Sequence, residues 1–176
     1  MIAKKVTTVI MLCAVLFSYG QKLRIEQGNF DFLKGQKEVN VEFVYDNMTL
    51  LKKNLSNEQY VKEHMLEVEE KKGKAAARAW EKSWYSSREI IYAPKFLELM
   101  NRYLHGDYGI HFDLGLDNAK YTLIVDTIWV FPGWDAGVMK QPAKVTTSIK
   151  VVETANSDNI LVMVSSKDAP GDQWGS

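Results

Sequence analysis

Apolar and polar residues alternate at both ends of this chain and recur at helical spacing in the middle. Lys22-Leu23-Arg24-Ile25-Glu26 alternates, and Val39-Asn40-Val41-Glu42-Phe43-Val44-Tyr45 alternates more clearly. Val39, Val41, Phe43 and Tyr45 share one face, as the period of two along a strand requires. Gly28 and Gly35 punctuate the link between the two pieces. Ser56-Asn57-Glu58-Gln59 then has the form of a capping box, in which Ser56 accepts from the Gln59 amide and Gln59 reaches back. Tyr60, Val61, Met65 and Val68 follow at helical spacing, with Lys62, Glu63, Glu67, Glu70 and Lys71 on the other arc. Gly73 weakens or breaks this helix, by about 1 kcal/mol relative to Ala, and Ala75 to Trp80 can restart it. A further helix opens near Pro94, where a missing amide hydrogen costs little. Phe96, Leu97, Leu99, Met100, Tyr103 and Leu104 form its apolar stripe, and Gly106 is the expected stop.

The pattern then reverts to a period of two. Tyr121 to Phe131 is the longest apolar run and is apolar on both faces, which predicts an interior strand. Ala143 to Glu153 comes next, with Val145, Thr147, Ile149 and Val151 on one face. Thr154 to Asp158 reads as a polar turn, and Asn159 to Ser166 closes a hairpin with Ile160, Val162 and Val164 together. The fold class expected is α+β. N-terminal strands and two to three helices pack on a mainly antiparallel sheet that ends in a three-stranded meander.

The first twenty residues have a different character. Lys4 and Lys5 precede an apolar run from Val6 to Phe17, and Ser18-Tyr19-Gly20 supplies small residues before a cut ahead of Gln21. A span across a bilayer core takes about 20 apolar residues, and this run is shorter. Residues 1–20 therefore read as a signal peptide and 21–176 as one domain, with no stable membrane span after cleavage. Cys13 lies inside the apolar run behind Leu12, which does not suit a lipid attachment site.

Charge and cysteine content narrow the picture further. The chain has 22 basic and 22 acidic residues, and loss of the leader removes Lys4 and Lys5 but no acid. The remaining 156 residues carry a net charge of −2 with the signs interspersed, which gives no reason to expect nucleic acid as a partner. The single cysteine leaves with the leader, so an oxidising compartment places no demand on the fold.

No stretch carries a cofactor or catalytic motif. His105, Asp107, His111 and Asp113 cluster in sequence, but no HExxH or CxxC accompanies them, so solvated loop polars are the expectation and a metal site is not. Asp113, Asp117 and Asn118 lack the acid spacing of a calcium loop. Asp126 interrupts an apolar strand, where a carboxyl is either satisfied by neighbours or held in a working state. Trp80 and Trp84 lie one helical turn apart with Tyr85 beside them. Such a pair serves either as core packing or as an anchor for a partner or a sugar ring. The segment Phe131 to Met139 contains Pro132, Gly133 and Gly137, and it places Trp134 and Met139 on what the pattern makes surface. Trp134, Asp135 and Met139, with Trp80 and Trp84, are the candidate contact residues. The alternative use of Trp134 is to cap the open end of the sheet. Asn47-Met48-Thr49 and Asn54-Leu55-Ser56 match a glycosylation pattern, but Ser56 is better used as a helix cap.

One resemblance extends over nearly the whole mature chain. Gly28-Asn29-Phe30-Asp31-Phe32-Leu33-Lys34-Gly35 and Val39 to Phe43 resemble the opening of an uncharacterised family of small exported proteins of Gram-negative bacteria. Tyr121 to Val125, Pro132-Gly133, Gly137-Val138-Met139, Pro142-Ala143 and Val152 to Asn156 resemble its later blocks. The resemblance implies export to the periplasm, the outer envelope or the exterior, and it transfers no catalytic residue. It also implies a further C-terminal helix past Ala169-Pro170-Gly171, so this chain, ending at Ser176, is expected to stop short of the family's full fold. The expected function is a non-catalytic binding or interaction module of the cell envelope, whose partner is an envelope protein or a small ligand. The alternatives are an accessory subunit of an envelope assembly, or a hydrolase whose site is scattered along the sequence.

Overall fold

A computed structural model describes residues 22–135, 137 and 139–171, so the expected leader lies outside the described residues. In chain order the elements are β1 (Lys22–Gly28), β2 (Glu38–Val44), β3 (Thr49–Leu50) and β4 (Leu55–Ser56). The helices α1 (Asn57–Lys72) and α2 (Lys74–Ser87), a π-helical turn (Arg88–Tyr92) and α3 (Ala93–Tyr108) come next. Then come β5 (His111–Asp113), β6 (Tyr121–Phe131), β7 (Trp134–Asp135), β8 (Lys140–Gln141), β9 (Lys144–Glu153) and β10 (Asn156–Pro170). This is the α+β arrangement that the apolar pattern predicts.

The main sheet has the order β1-β10-β9-β6-β2-β5, with β3 beside the far end of β6. Its antiparallel part is the expected meander of β6, β9 and β10, extended by β1. The other part is parallel: β2 pairs with β5 and β6, and β3 with β6. Helices fill the chain between β2 and β6, and a long helical crossover returns a strand parallel to the one it left. β6 is therefore interior, as its apolar faces require, with β9 on one side and β2 then β3 on the other.

The cap and the break of α1 form as expected. Gln59 N–H donates to Ser56 Oγ at 3.2 Å, and Ser56 N–H donates to Gln59 Oε1 at 3.0 Å. Gly73, at φ 85°, ends α1 and separates it from α2. The end of α3 differs from the expectation. Gly106 stays helical, and Gly109 at φ 68° makes the stop, its N–H donating to His105 O at 2.9 Å. A helical glycine costs only about 1 kcal/mol, whereas the terminating residue must adopt the left-handed conformation. The stripe of α3 is also narrower than expected: Phe96, Leu97, Met100 and Leu104 pack on the sheet, while Leu99 and Tyr103 are exposed.

The turn between β9 and β10 is tighter than the expected Thr154 to Asp158. Glu153 pairs with Asn156 across a two-residue connection. In β10 the register shifts so that Ile160 pairs with Val152 and Val162 with Val151. That bulge at Leu161 separates Ile160 from the face that Val162 and Val164 share.

Two clusters form the interior. The larger joins Val39 and Val41 of β2, Leu123 and Val125 of β6, Val151 of β9 and Val162 of β10, covered by α3. The smaller joins Met48, Leu50, Tyr60 and Val61, with Trp80, Trp84 and Val130 packed against it. Val130 stands opposite Val145, on the side of β9 that carries Ile149 and Val151, so both clusters lie on one face of the sheet.

Candidate functional site

The predicted surface segment after β6 is a hairpin. Trp134 pairs with Gln141 and Asp135 with Lys140, with residues 136 and 138 outside the described set. Four contacts fix it. Trp134 Nε1–H donates to Gln141 Oε1 at 2.9 Å, and Lys140 Nζ lies 2.9 Å from Asp135 Oδ2. Gly137 N–H donates to Asp135 Oδ1 at 2.8 Å. Gly133, at φ 77°, lies where a Cβ would fall 2.6 Å from Gln141 O and 2.7 Å from Ala143 N, so only glycine allows this approach. The Lys140 ammonium first, and the Gly137 amide second, hold the Asp135 carboxyl below the usual carboxylate range. Trp134 remains 46% exposed and Met139 63% exposed. The indole is thus held by its N–H edge and not folded under the sheet. A fixed, solvent-facing aromatic loses little conformational entropy when a partner covers it.

The face of the sheet opposite the two clusters carries the second candidate group. Along β6 it presents Ile124 and Asp126. The register shift between Thr127 and Trp129 then brings Trp129, opposite Thr146, onto this same face, and after it Phe131 opposite Lys144. The Trp129 and Phe131 rings lie 6.4 Å apart and within 15° of parallel. Trp129 Nε1–H donates to Leu51 O at 2.8 Å, which fixes that indole too. Across the strands runs a polar row: Asp126 faces Ser148, Ser148 faces Ser165, and Ser165 faces Arg24. Ser165 Oγ donates to Glu26 Oε1 at 2.7 Å, and Arg24 Nε lies 3.3 Å from Glu26 Oε2. Asp126 Oδ1 is buried and accepts no hydrogen bond among the described residues.

Sequence reasoning singled out Asp126 but missed Trp129 and Phe131. Their place on the same face as Asp126 depends on a bulge, which leaves no mark in a period-two pattern.

Trp80 and Trp84 are brought together as their spacing predicts, with rings 5.7 Å apart. They are half-buried against the smaller cluster, Trp84 at 5.2 Å from Tyr60 and Trp80 at 4.2 Å from His64. Trp84 Nε1–H is spent on Asn57 Oδ1 at 3.1 Å. The His105 and His111 rings lie 6.1 Å apart, and His111 Nε2 lies 3.7 Å from Asp113 Oδ2. Among the described residues no three His, Cys, Asp or Glu side chains converge as metal ligands. Asp113 Oδ1 accepts from the Leu114 N–H at 2.8 Å, a local turn contact. Among the described residues no helix is long and apolar enough to cross a membrane.

No family model matches this chain, and no curated protein matches it. The solved structures it is similar to include the PelC dodecamer from Paraburkholderia phytofirmans, at 11% identity and a TM-score of 0.38. That likeness covers 88% of this chain and 86% of that one. A point variant of the same dodecamer gives 10% identity, 88% and 85% coverage, and a TM-score of 0.38. At this level the likeness carries no functional argument.

Proposed function

We propose that this chain is an exported, non-catalytic binding module of the cell envelope that meets its partner through the Trp134 hairpin. The observation that carries the reading is an exposed indole fixed by its own hairpin: Trp134 bonded to Gln141, and Asp135 paired with Lys140. A large aromatic side chain that is nearly half exposed and held in one pose by its own hairpin is preorganised for contact. Met139, exposed in the same hairpin segment, adds a soft apolar surface that adapts to a partner.

The test is recovery of partners from the envelope fraction of the native host with wild type, Trp134→Ala and Met139→Ala. The expected result is a loss of about tenfold or more for Trp134→Ala, since central aromatic anchors are worth ~2 kcal/mol or more. Equal recoveries by wild type and Trp134→Ala overturn the hairpin as the contact. Export is tested separately by intact mass of the protein from its host, and a mass that retains Met1 to Gly20 overturns cleavage of the leader.

A further inference from the structure

We infer that the groove between α1 and α2 is a docking site for a basic amphipathic helix of a partner protein. The two helices are joined by Gly73 alone and lie side by side as a helical hairpin. The groove between them has a volume of about 360 Å³. Its floor is apolar: Val61, Met65 and Leu66 of α1 face Tyr85 of α2. Leu66 is 61% exposed and Tyr85 39% exposed, so much of this floor is in contact with water. The α1 positions fall in two adjacent rows of four-residue steps, Glu58-Lys62-Leu66 and Val61-Met65-Glu69, a ridged surface against which the side chains of a third helix can pack.

The rim decides the chemistry of the occupant. Glu58 and Glu69 stand at the two ends of the α1 wall and Glu81 on the α2 wall, against the single ammonium of Lys62. Two other helical acids are neutralised in place, Glu67 by Lys71 at 2.6 Å and Glu98 by Lys95 and Arg102. Glu69 and Glu81 form no ion pair among the described residues, and Glu58 is held by the Ser56 hydroxyl at 2.9 Å. A helix presenting Leu-type side chains to Leu66 and Tyr85, with Lys or Arg on its flanks, satisfies floor and rim together. An acidic helix or an anionic lipid surface meets like charge there. The site lies on different elements from the Trp134 hairpin, and neither reading depends on the other.

Calorimetric and amide-shift titration of the isotope-labelled chain with two designed amphipathic helices, one of Leu and Lys and one of Leu and Glu, tests the proposal. The Leu/Lys helix is expected to bind, to shift amides of α1 and α2, and to weaken as salt rises. Glu69→Gln with Glu81→Gln is expected to weaken it several-fold, and the double Glu→Lys change by about tenfold or more. Leu66→Ala is expected to weaken binding without removing its salt dependence. Far-UV circular dichroism and the amide spectrum establish that each variant is folded. Equal binding of the Leu/Glu helix, shifts confined to other elements, or unchanged affinity in the charge variants overturns the proposal. Salt-insensitive self-association that Leu66→Ala abolishes assigns the groove to a second copy and overturns it as well.

Discussion

At the residue scale the densest polar centre is Asn57, which is buried at the start of α1. Its Oδ1 accepts from Trp84 Nε1 at 3.1 Å and from Arg88 Nη2 at 2.9 Å, and its Nδ2 donates to Tyr85 Oη at 3.2 Å. The Arg88 guanidinium lies 4.6 Å from the Tyr45 ring centroid and 5.2 Å from that of Tyr85. One amide thereby ties the first turn of α1 to the end of α2 and the π-helical turn. Asn57→Ala leaves an indole N–H and a guanidinium short of an acceptor. We expect a loss of about 2–3 kcal/mol, read as a lower urea midpoint at unchanged slope. A loss below about 0.5 kcal/mol would mean that water replaces the amide without cost. Asp135 supplies a second test. Its folded pKa is lowered, so its contribution is present above the unfolded value and is lost as pH falls through the folded one. Carboxyl-detected titration is expected to place Asp135 below ordinary aspartates, and Lys140→Ala to move it up; coincidence with ordinary aspartates in the wild type would remove the ion pair from the hairpin. The cap at Ser56 was legible in the sequence because its partner is three residues away. The role of Asn57 was not, because its partners are 27, 28 and 31 residues away.

At the scale of elements, two glycines of positive φ carry different constraints. Gly28, at φ 72°, closes β1 where an added Cβ would fall 1.8 Å from Leu161 O, at the bulge of β10. Gly73, at φ 85°, has nothing within 4 Å of that position. Gly73→Ala is expected to cost only the strain of φ 85°, ψ 165°, a region essentially reserved for glycine, about 1–3 kcal/mol. Gly28→Ala adds a backbone collision and is expected to cost about 3 kcal/mol or more, most of it by detaching β1. Amide exchange would show this as faster exchange in β1 and the β10 amides facing it, with β6 unchanged. Equal costs at the two sites would contradict the account. The break at Gly73 was legible because it interrupts a helical period. The bulges at Leu161 and Ile128 were not, since one extra residue turns every later side chain of the strand to the other face without changing composition. Trp134 and Met139 could be placed on the surface from sequence, while Trp129 and Phe131 could not be placed on the face of Asp126.

At the scale of the whole molecule, the two clusters divide the fold into parts of unequal stability. The larger contains ten buried apolar residues, eight from β2, β6, β9 and β10 and the other two Ile110 and Phe112 after α3. The smaller contains four, Met48, Leu50, Tyr60 and Val61, and its remaining contacts are half-buried side chains such as Trp80 and Trp84. Free energy of opening scales with the buried apolar area that must be exposed, at roughly 25 cal/mol per Å². The α1–α2 hairpin loses fewer buried residues on opening than the sheet does. It is therefore expected to open as a unit below the global transition, while β6, hydrogen-bonded on both edges, opens only on complete unfolding. Leu50 joins the parts: it is fully buried, pairs with Val130 of β6 and belongs to the cluster under α1. Leu50→Ala should cost about 2–5 kcal/mol and lower the opening energy of α1 and α2 more than that of β6. Native-state hydrogen exchange across a urea series distinguishes the outcomes. Amides of α1 and α2 sharing one low opening energy, with β6 and the β2 and β9 amides facing it at the global value, fit two unequal parts. Amides of α1 as slow as those of β6 mean that the smaller cluster is not a separate cooperative unit, and that the Asn57 and Arg88 contacts bind the helical hairpin to the sheet as firmly as the sheet binds itself.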